Sequence, residues 1–176
     1  MKQVAVAVHS NYLPGLAEKA EKFVKALAER CPDAVLLVGG YWGHMKDVVD
    51  AALRNGLRVV VVLPIEREDA PLPSEVIALR TGCEYRCRSV VMVRSADAVA
   101  VLGGGVGTAI EAFMAYAMGR PVFILSNAGA HTDRLKEAYP EYFDERKAVK
   151  IVYVDDPVKM AELVCATEGG VKTDFG

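Results

Sequence analysis

The sequence predicts a doubly wound α/β fold, a parallel sheet with helices on both faces, and three observations predict it. Runs such as "VAVAV", "VVVVLP" and "VFIL" are apolar throughout rather than alternating, as in strands covered on both sides. Segments with apolar residues three to four apart separate them, which is the strand-helix alternation of βαβ units. Three runs end in unusual loops, "VHSNYLP", "VGGYWGHM" and "VLGGGVGT", and in such sheets ligands sit beyond the carboxyl ends of the strands.

In chain order, "QVAVAVHS" reads as a buried strand. "GLAEKAEKFVKALAERCPD" follows as an amphipathic helix with Leu16, Ala20, Phe23, Val24 and Leu27 on one face. "AVLLVGG" is a second strand, "HMKDVVDAALRNG" a helix closed by a glycine, and "LRVVVVLP" a third strand. Residues 65–89 mix charges with prolines and are expected to form a loop with one or two short helices. Beyond them come a strand "DAVAVLGG", a helix "GTAIEAFMAYAMG", strands "RPVFILS" and "AVKIVYVDD", and a last helix "PVKMAELVCA". The whole chain, 1–176, is expected to be one nucleotide-binding domain, with residues 167–176 a frayed tail.

Twenty-one Lys and Arg against twenty-three Asp and Glu leave a formal charge of −2, so no global field draws the chain to nucleic acid or to an acidic membrane. Any anion recognition must be local. No apolar run approaches the length of a membrane span, and no secretory signal opens the chain. A cytoplasmic protein is expected, with Cys31, Cys83, Cys87 and Cys165 as reduced thiols. No metal site is expected, because the cysteines and His9, His44 and His131 form no ligand-spaced cluster.

The stretch "VAVLGGGVGTAIEAF" concentrates the chemistry. Glycines let backbone amides approach a ligand, and a helix N-terminus adds free N–H donors and partial positive charge, so the loop suits a phosphate. Close packing of helix on strand is the other use of such glycines. The spelling excludes a Walker loop, because Thr108 follows Gly107 where lysine would stand. It also lacks the third glycine of a dinucleotide fingerprint, and Ser126 and Asn127 replace the expected acid, so no NAD or other cofactor is expected.

The block from Arg88 through Asp97 to Gly104, Gly105, Gly107, Thr108 and Glu111 resembles the signature of the LOG family, often described as lysine decarboxylase-like. "LLVGGYWGHMKDVVDAALRNG" is similar to that family's second block, and the resemblance spans most of residues 2–125. It implies a Rossmann-like fold and cleavage of the N-glycosidic bond of a nucleoside 5′-monophosphate, releasing base and ribose 5-phosphate. Arg88 and Glu111 are then the catalytic residues, and Gly39, Gly40, Gly103, Gly104, Gly105, Val106, Gly107 and Thr108 the phosphate and nucleotide cradle. A homodimer or larger homo-oligomer is implied as well. The alternative within the wider superfamily is a non-catalytic carrier or sensor for a nucleotide or molybdopterin-type cofactor. Arg88 and Glu111 favour the enzyme; Ser89 in place of lysine, Gly103 in place of proline and His9-Ser10 in place of Gly-Ser favour the binder.

Each residue also has a structural reading. Thr108-Ala-Ile-Glu111 has capping-box spacing, so the glutamate would reach back to an amide; as a catalytic group it would face the positive charge that develops on the ribose. Arg88 lies in a basic run with Arg80, Arg86 and Arg94 that also suits a solvated helix face. Ser10, Tyr41, Trp42 and Met45 follow strand ends and serve either a base pocket or packing. The apolar "AFMAYAM" calls for partners around its helix.

Overall fold

The computed structural model describes all 176 residues. Seven strands form one all-parallel sheet: β1 (Gln3–Val8), β2 (Val35–Val38), β3 (Arg58–Leu63), β4 (Ile77–Arg80), β5 (Ala98–Gly103), β6 (Val122–Leu125) and β7 (Ile151–Val154). Their order is β4-β3-β2-β1-β5-β6-β7, so the chain winds outward from β1 in one direction and resumes from β5 in the other. Helices α1 (Leu16–Arg30), α2 (Gly43–Arg54) and α6 (Pro157–Ala166) lie with one face, where 31 buried apolar residues form a core. Helices α3 (Tyr85–Ser95) and α4 (Val106–Ala117) cover the other over a second core of 17, which includes Met92, Ala112 and Tyr116. Burial on both sides explains why the central strands carry no polar alternation.

β1 and β5 pair in register from Val4 opposite Ala98 until an irregularity after Ala7 sets Val8 opposite Gly103. The His9 amide then donates to the Gly103 carbonyl at 2.9 Å, so both loops leave the sheet together.

The structure departs from expectation in several places. Residues 65–89 hold a 3-10 turn (Ile65–Arg67), the edge strand β4 and the start of the eleven-residue α3, not only loop and short helices. Between β6 and β7 the chain adds a 3-10 turn (His131–Arg134) and a short α5 (Leu135–Ala138). The cysteines are paired rather than reduced: Cys31 with Cys165 and Cys83 with Cys87, at Cα separations of 5.9 and 5.7 Å. The packing of α1 on α6 brings the first pair together, and the turn into α3 the second. The tail expected to fray lies against the α4–β6 turn, with the Val171 amide on the Gly119 carbonyl at 2.9 Å and Thr173 Oγ1 on the Ala117 carbonyl at 2.6 Å. No helix is long and apolar enough to cross a membrane.

Candidate functional site

Where the strand order reverses, the loops after β1, β2 and β5 frame a cleft of about 420 Å³. Its floor is the start of α4. Gly105 is the N-cap residue and no side chain caps it, so the first-turn amides of Val106, Gly107 and Thr108 have no intrahelical acceptor. All four residues line the cleft.

The wall comes from α3. Glu84 fixes its start, its carboxylate accepting from the amides of Arg86 and Cys87 at 2.7 Å each. Helical spacing then carries Tyr85, Arg86 and Arg88 along the cleft, with Met92 one turn on. Arg88 is only 4% exposed, and its Nη1 donates to the Val62 carbonyl at 3.3 Å. Its guanidinium stands 5.9 Å from the centre of the Tyr85 ring. Arg88 Nε and Arg86 Nη1 are buried without any hydrogen-bond partner.

Across from them Glu111, 7% exposed, rises from α4 and accepts a hydrogen bond from Ser89 Oγ at 2.8 Å. Burial pushes its carboxyl above the usual carboxylate range, while Arg88, the Ser89 hydroxyl and Arg86 pull the other way. Burial also lowers the Arg88 guanidinium from its ordinary value, with Glu111 opposing. None of the protein's ion pairs joins the two residues. The cleft therefore offers unsatisfied donors of positive charge beside one buried carboxyl.

Most of the residues singled out from sequence converge here, but with altered parts. Arg88, Glu111, Gly39, Gly105, Val106, Gly107, Thr108, Ser10, Trp42 and Met45 line the cleft. Tyr41 does not: its hydroxyl donates to Asp50 Oδ1 at 2.7 Å, turned toward α2, and this bond raises its pKa. Gly39 makes room for a neighbour rather than forming a turn, since a methyl group there would collide with Arg88 Nη1. Gly40 does the same for the Trp42 ring. Gly104 spends its amide on Thr132 Oγ1 at 3.1 Å, so that amide is withheld from a phosphate in the cleft. Gly103, at φ 126, lies outside the cleft with its Cα against Ala128.

The capping-box reading of Thr108 and Glu111 is also corrected. The helix begins at Val106, so Thr108 already lies in its first turn and Glu111 is too far along to reach the cap; the carboxyl turns to Ser89 instead. Asp97 works at the far end of the sheet, where its Oδ2 accepts from the Gln3 amide at 2.8 Å. His9, Asn11, Arg67, Tyr85, Arg86 and Ser89 complete the site without having been assigned to it. The signal that could have found Tyr85 and Arg86 is their nearness to Arg88 on one helix. Nothing local marks Arg67, which reaches in from the 3-10 turn and sits 5.2 Å from the Trp42 ring centre. No group of three or more His, Cys, Asp or Glu side chains is placed to hold a metal.

An all-parallel doubly wound sheet with an open helix N-terminus at its switch point defines a Rossmann-like α/β protein. Residues 2–161 match the model of the SLOG cluster4 family, and the chain belongs to that family. It is similar to the structural-genomics target TM1055, with 30% identity over 92% of this chain and 96% of that one, at a TM-score of 0.79. The molybdenum cofactor binding protein of the phototrophic bacterium Rippkaea orientalis shares 22% identity at a TM-score of 0.72, covering 92% of this chain and 93% of that one. The molybdenum cofactor carrier protein of Chlamydomonas reinhardtii shares 20% at 0.74, over 95% and 100%. DNA processing protein A of Streptococcus pneumoniae shares 17% at 0.65, with 96% of this chain on 62% of that one. At these lower identities the likeness is one of fold. No curated protein matches the sequence.

Proposed function

We propose that the cleft binds a nucleoside 5′-monophosphate and that the protein hydrolyses its N-glycosidic bond, the activity implied by the LOG-like block. The observation that carries the binding step is the pair of buried, partnerless guanidinium nitrogens, Arg86 Nη1 and Arg88 Nε, beside the uncapped start of α4. Buried donors without partners are costly unless a ligand completes them, and guanidinium groups fit phosphate oxygens. The phosphate takes the α4 amides and the arginines, which sets the ribose toward Glu111. Ionised Glu111 then faces the positive charge on C1′ as the C1′–N bond breaks; the bonding electrons leave with the base, which takes up a proton, and water adds to C1′.

A carrier or sensor is the second reading, and the Ser89–Glu111 hydrogen bond favours it by engaging the carboxyl within the protein. The structural likeness to two molybdenum cofactor proteins lies in the same direction. Single-stranded DNA is named as the ligand of the Helicobacter pylori DNA processing protein, whose fold is similar at a TM-score of 0.58. The net charge of −2 and the small cleft favour a small molecule here. Incubation with a panel of nucleoside monophosphates, followed by chromatography for free base, decides between enzyme and carrier. Released base from any member supports hydrolysis; binding without release establishes the carrier. A homodimer is proposed with either reading, because α4 leaves Phe113 exposed outside the cleft. Light scattering at the mass of one chain would refute the dimer.

A further inference from the structure

A second chamber of about 260 Å³ opens on the other side of the β5 loop. His9 lines both chambers, standing between them with its imidazole where a methyl group added at Gly105 would meet it. The second is walled by His131 and Arg134 from the 3-10 turn after β6, together with Leu13, Gly104, Gly129 and Ala130. Neither chamber wall is loose at this junction. Thr132, 1% exposed, accepts from the Gly104 amide at 3.1 Å and donates its own amide to the Gly104 carbonyl at 3.2 Å.

The chamber's chemistry is one-sided. His9, His131 and Arg134 all lack a hydrogen-bond or ion-pair partner in their side chains, and no acid is among the lining residues. The neighbouring acid, Asp133, is already occupied: its carboxylate accepts from the amides of Ala128, Gly129 and Ala130 at 3.0, 2.9 and 3.3 Å. Those bonds set the 128–133 loop in place with the two nitrogen-bearing side chains directed at the chamber. A donor cluster of this kind, with the adjacent carboxylate engaged by backbone amides rather than by these side chains, fits an anion.

We propose that this chamber is a subsite for a second phosphate group, so that the ligand is a nucleotide phosphorylated at two separated positions and passes His9 on its way from one chamber to the other. The inference rests on the reading of the first cleft as a 5′-phosphate site. It narrows that reading from nucleoside monophosphates to nucleotides anionic at both ends.

Calorimetric titration with adenosine 5′-monophosphate and adenosine 3′,5′-bisphosphate tests it on the wild-type chain. Variants are His131→Ala combined with Arg134→Ala, the milder Arg134→Gln in case the double variant does not fold, and Arg94→Ala as a charge control. Arg94 is exposed and lines neither chamber. The expected result is at least tenfold tighter binding of the bisphosphate by wild type. The double variant should lose that advantage and Arg134→Gln at least threefold of it, with monophosphate affinity unchanged and Arg94→Ala behaving as wild type. Equal affinity of the two probes for wild type, or an advantage that survives the double variant or falls equally in Arg94→Ala, overturns the second subsite while leaving the first cleft intact. Bisphosphate binding that depends on Arg134 without any monophosphate binding supports the subsite and removes the single-phosphate reading. If neither probe binds, both fall. Inorganic phosphate supplied with the monophosphate separates the two sources of the anion: if it matches the bisphosphate, the chamber takes a free ion and the doubly phosphorylated ligand is refuted.

Discussion

At the residue scale the central fact is that Arg88 and Glu111 are both buried, face one cleft, and are not paired with each other. The Arg88 side chain donates only to the Val62 carbonyl and that of Glu111 accepts only from the Ser89 hydroxyl, and charges taken from water with so few partners destabilise a fold unless something completes them. Glu111→Gln separates function from structure. Glutamine still accepts the Ser89 hydrogen bond but carries no charge, so under the hydrolase reading turnover should fall by a factor on the order of 100 while nucleotide binding survives. Stability should move the other way. Because burial raises the Glu111 pKa, the folded state holds its proton more tightly than the unfolded state. This group's contribution is therefore fully present below the ordinary carboxylate range and is lost as pH rises through its folded pKa. Denaturant melts from pH 4 to 8 should show Glu111→Gln equal to wild type at the acid end and more stable near neutrality; a parallel decline in both proteins would refute the buried-charge account. Arg88→Lys keeps the charge but loses the planar fork, so affinity for a phosphate ester should drop about tenfold with the fold preserved. Unchanged affinity returns Arg88 to a packing role.

At the scale of elements, α3 and α4 show where sequence reasoning reaches and where it stops. The strands around β1 and β5 were legible because burial on both faces leaves an unbroken apolar run. β4 was not, because as the edge strand it carries Ile77 and Leu79 outward, 60% and 42% exposed, between charged and proline-rich neighbours. α3 was obscured because its buried face includes Arg88 and Ser89, polar residues that hydrophobic periodicity does not count. Gly39 illustrates a third kind of gap. It was expected in a nucleotide cradle and does line the cleft, but its reason, clearance for a guanidinium arriving from α3, depends on a contact 49 positions away in the chain and becomes visible only in the fold. Gly39→Ala should therefore act through Arg88. Displacing the guanidinium is expected to cost about 1–3 kcal/mol of stability, as overpacking does, and to weaken phosphate-ester binding as much as Arg88→Lys. The double variant Gly39→Ala/Arg88→Lys should then bind no more weakly than either single one, and additive losses in the calorimeter would show that the two residues act separately.

Across the whole molecule, the sheet holds the three loops in fixed register while the cleft itself keeps unsatisfied groups, so rigidity and ligand demand are separated in space. The bond between Cys31 and Cys165 adds to the former, joining the end of α1 to α6 across 134 residues of chain. Replacing both by serine is expected to lower stability by about 3–5 kcal/mol, since so long a loop is closed in the unfolded state as well. A chemical melt unchanged by the replacement would show that the pairing contributes nothing. The ligand's contribution is read at the same scale. A compound that binds only the folded chain stabilises it by mass action, about 2.7 kcal/mol at a hundred times its Kd. For a chain of 176 residues that corresponds to a rise in melting temperature of roughly 5–10 °C. The partnerless arginine nitrogens and the open α4 amides assign most of this to the phosphate, so a nucleoside monophosphate should produce the full shift and its nucleoside, at equal concentration, only a small part of it. In Arg88→Lys the shift from the monophosphate should shrink toward that of the nucleoside, because under the proposed reading the group removed contacts the phosphate. Equal shifts from the two compounds on the wild-type chain would move the recognition to the Trp42 and Met45 side of the cleft and leave the glycine turn with packing alone.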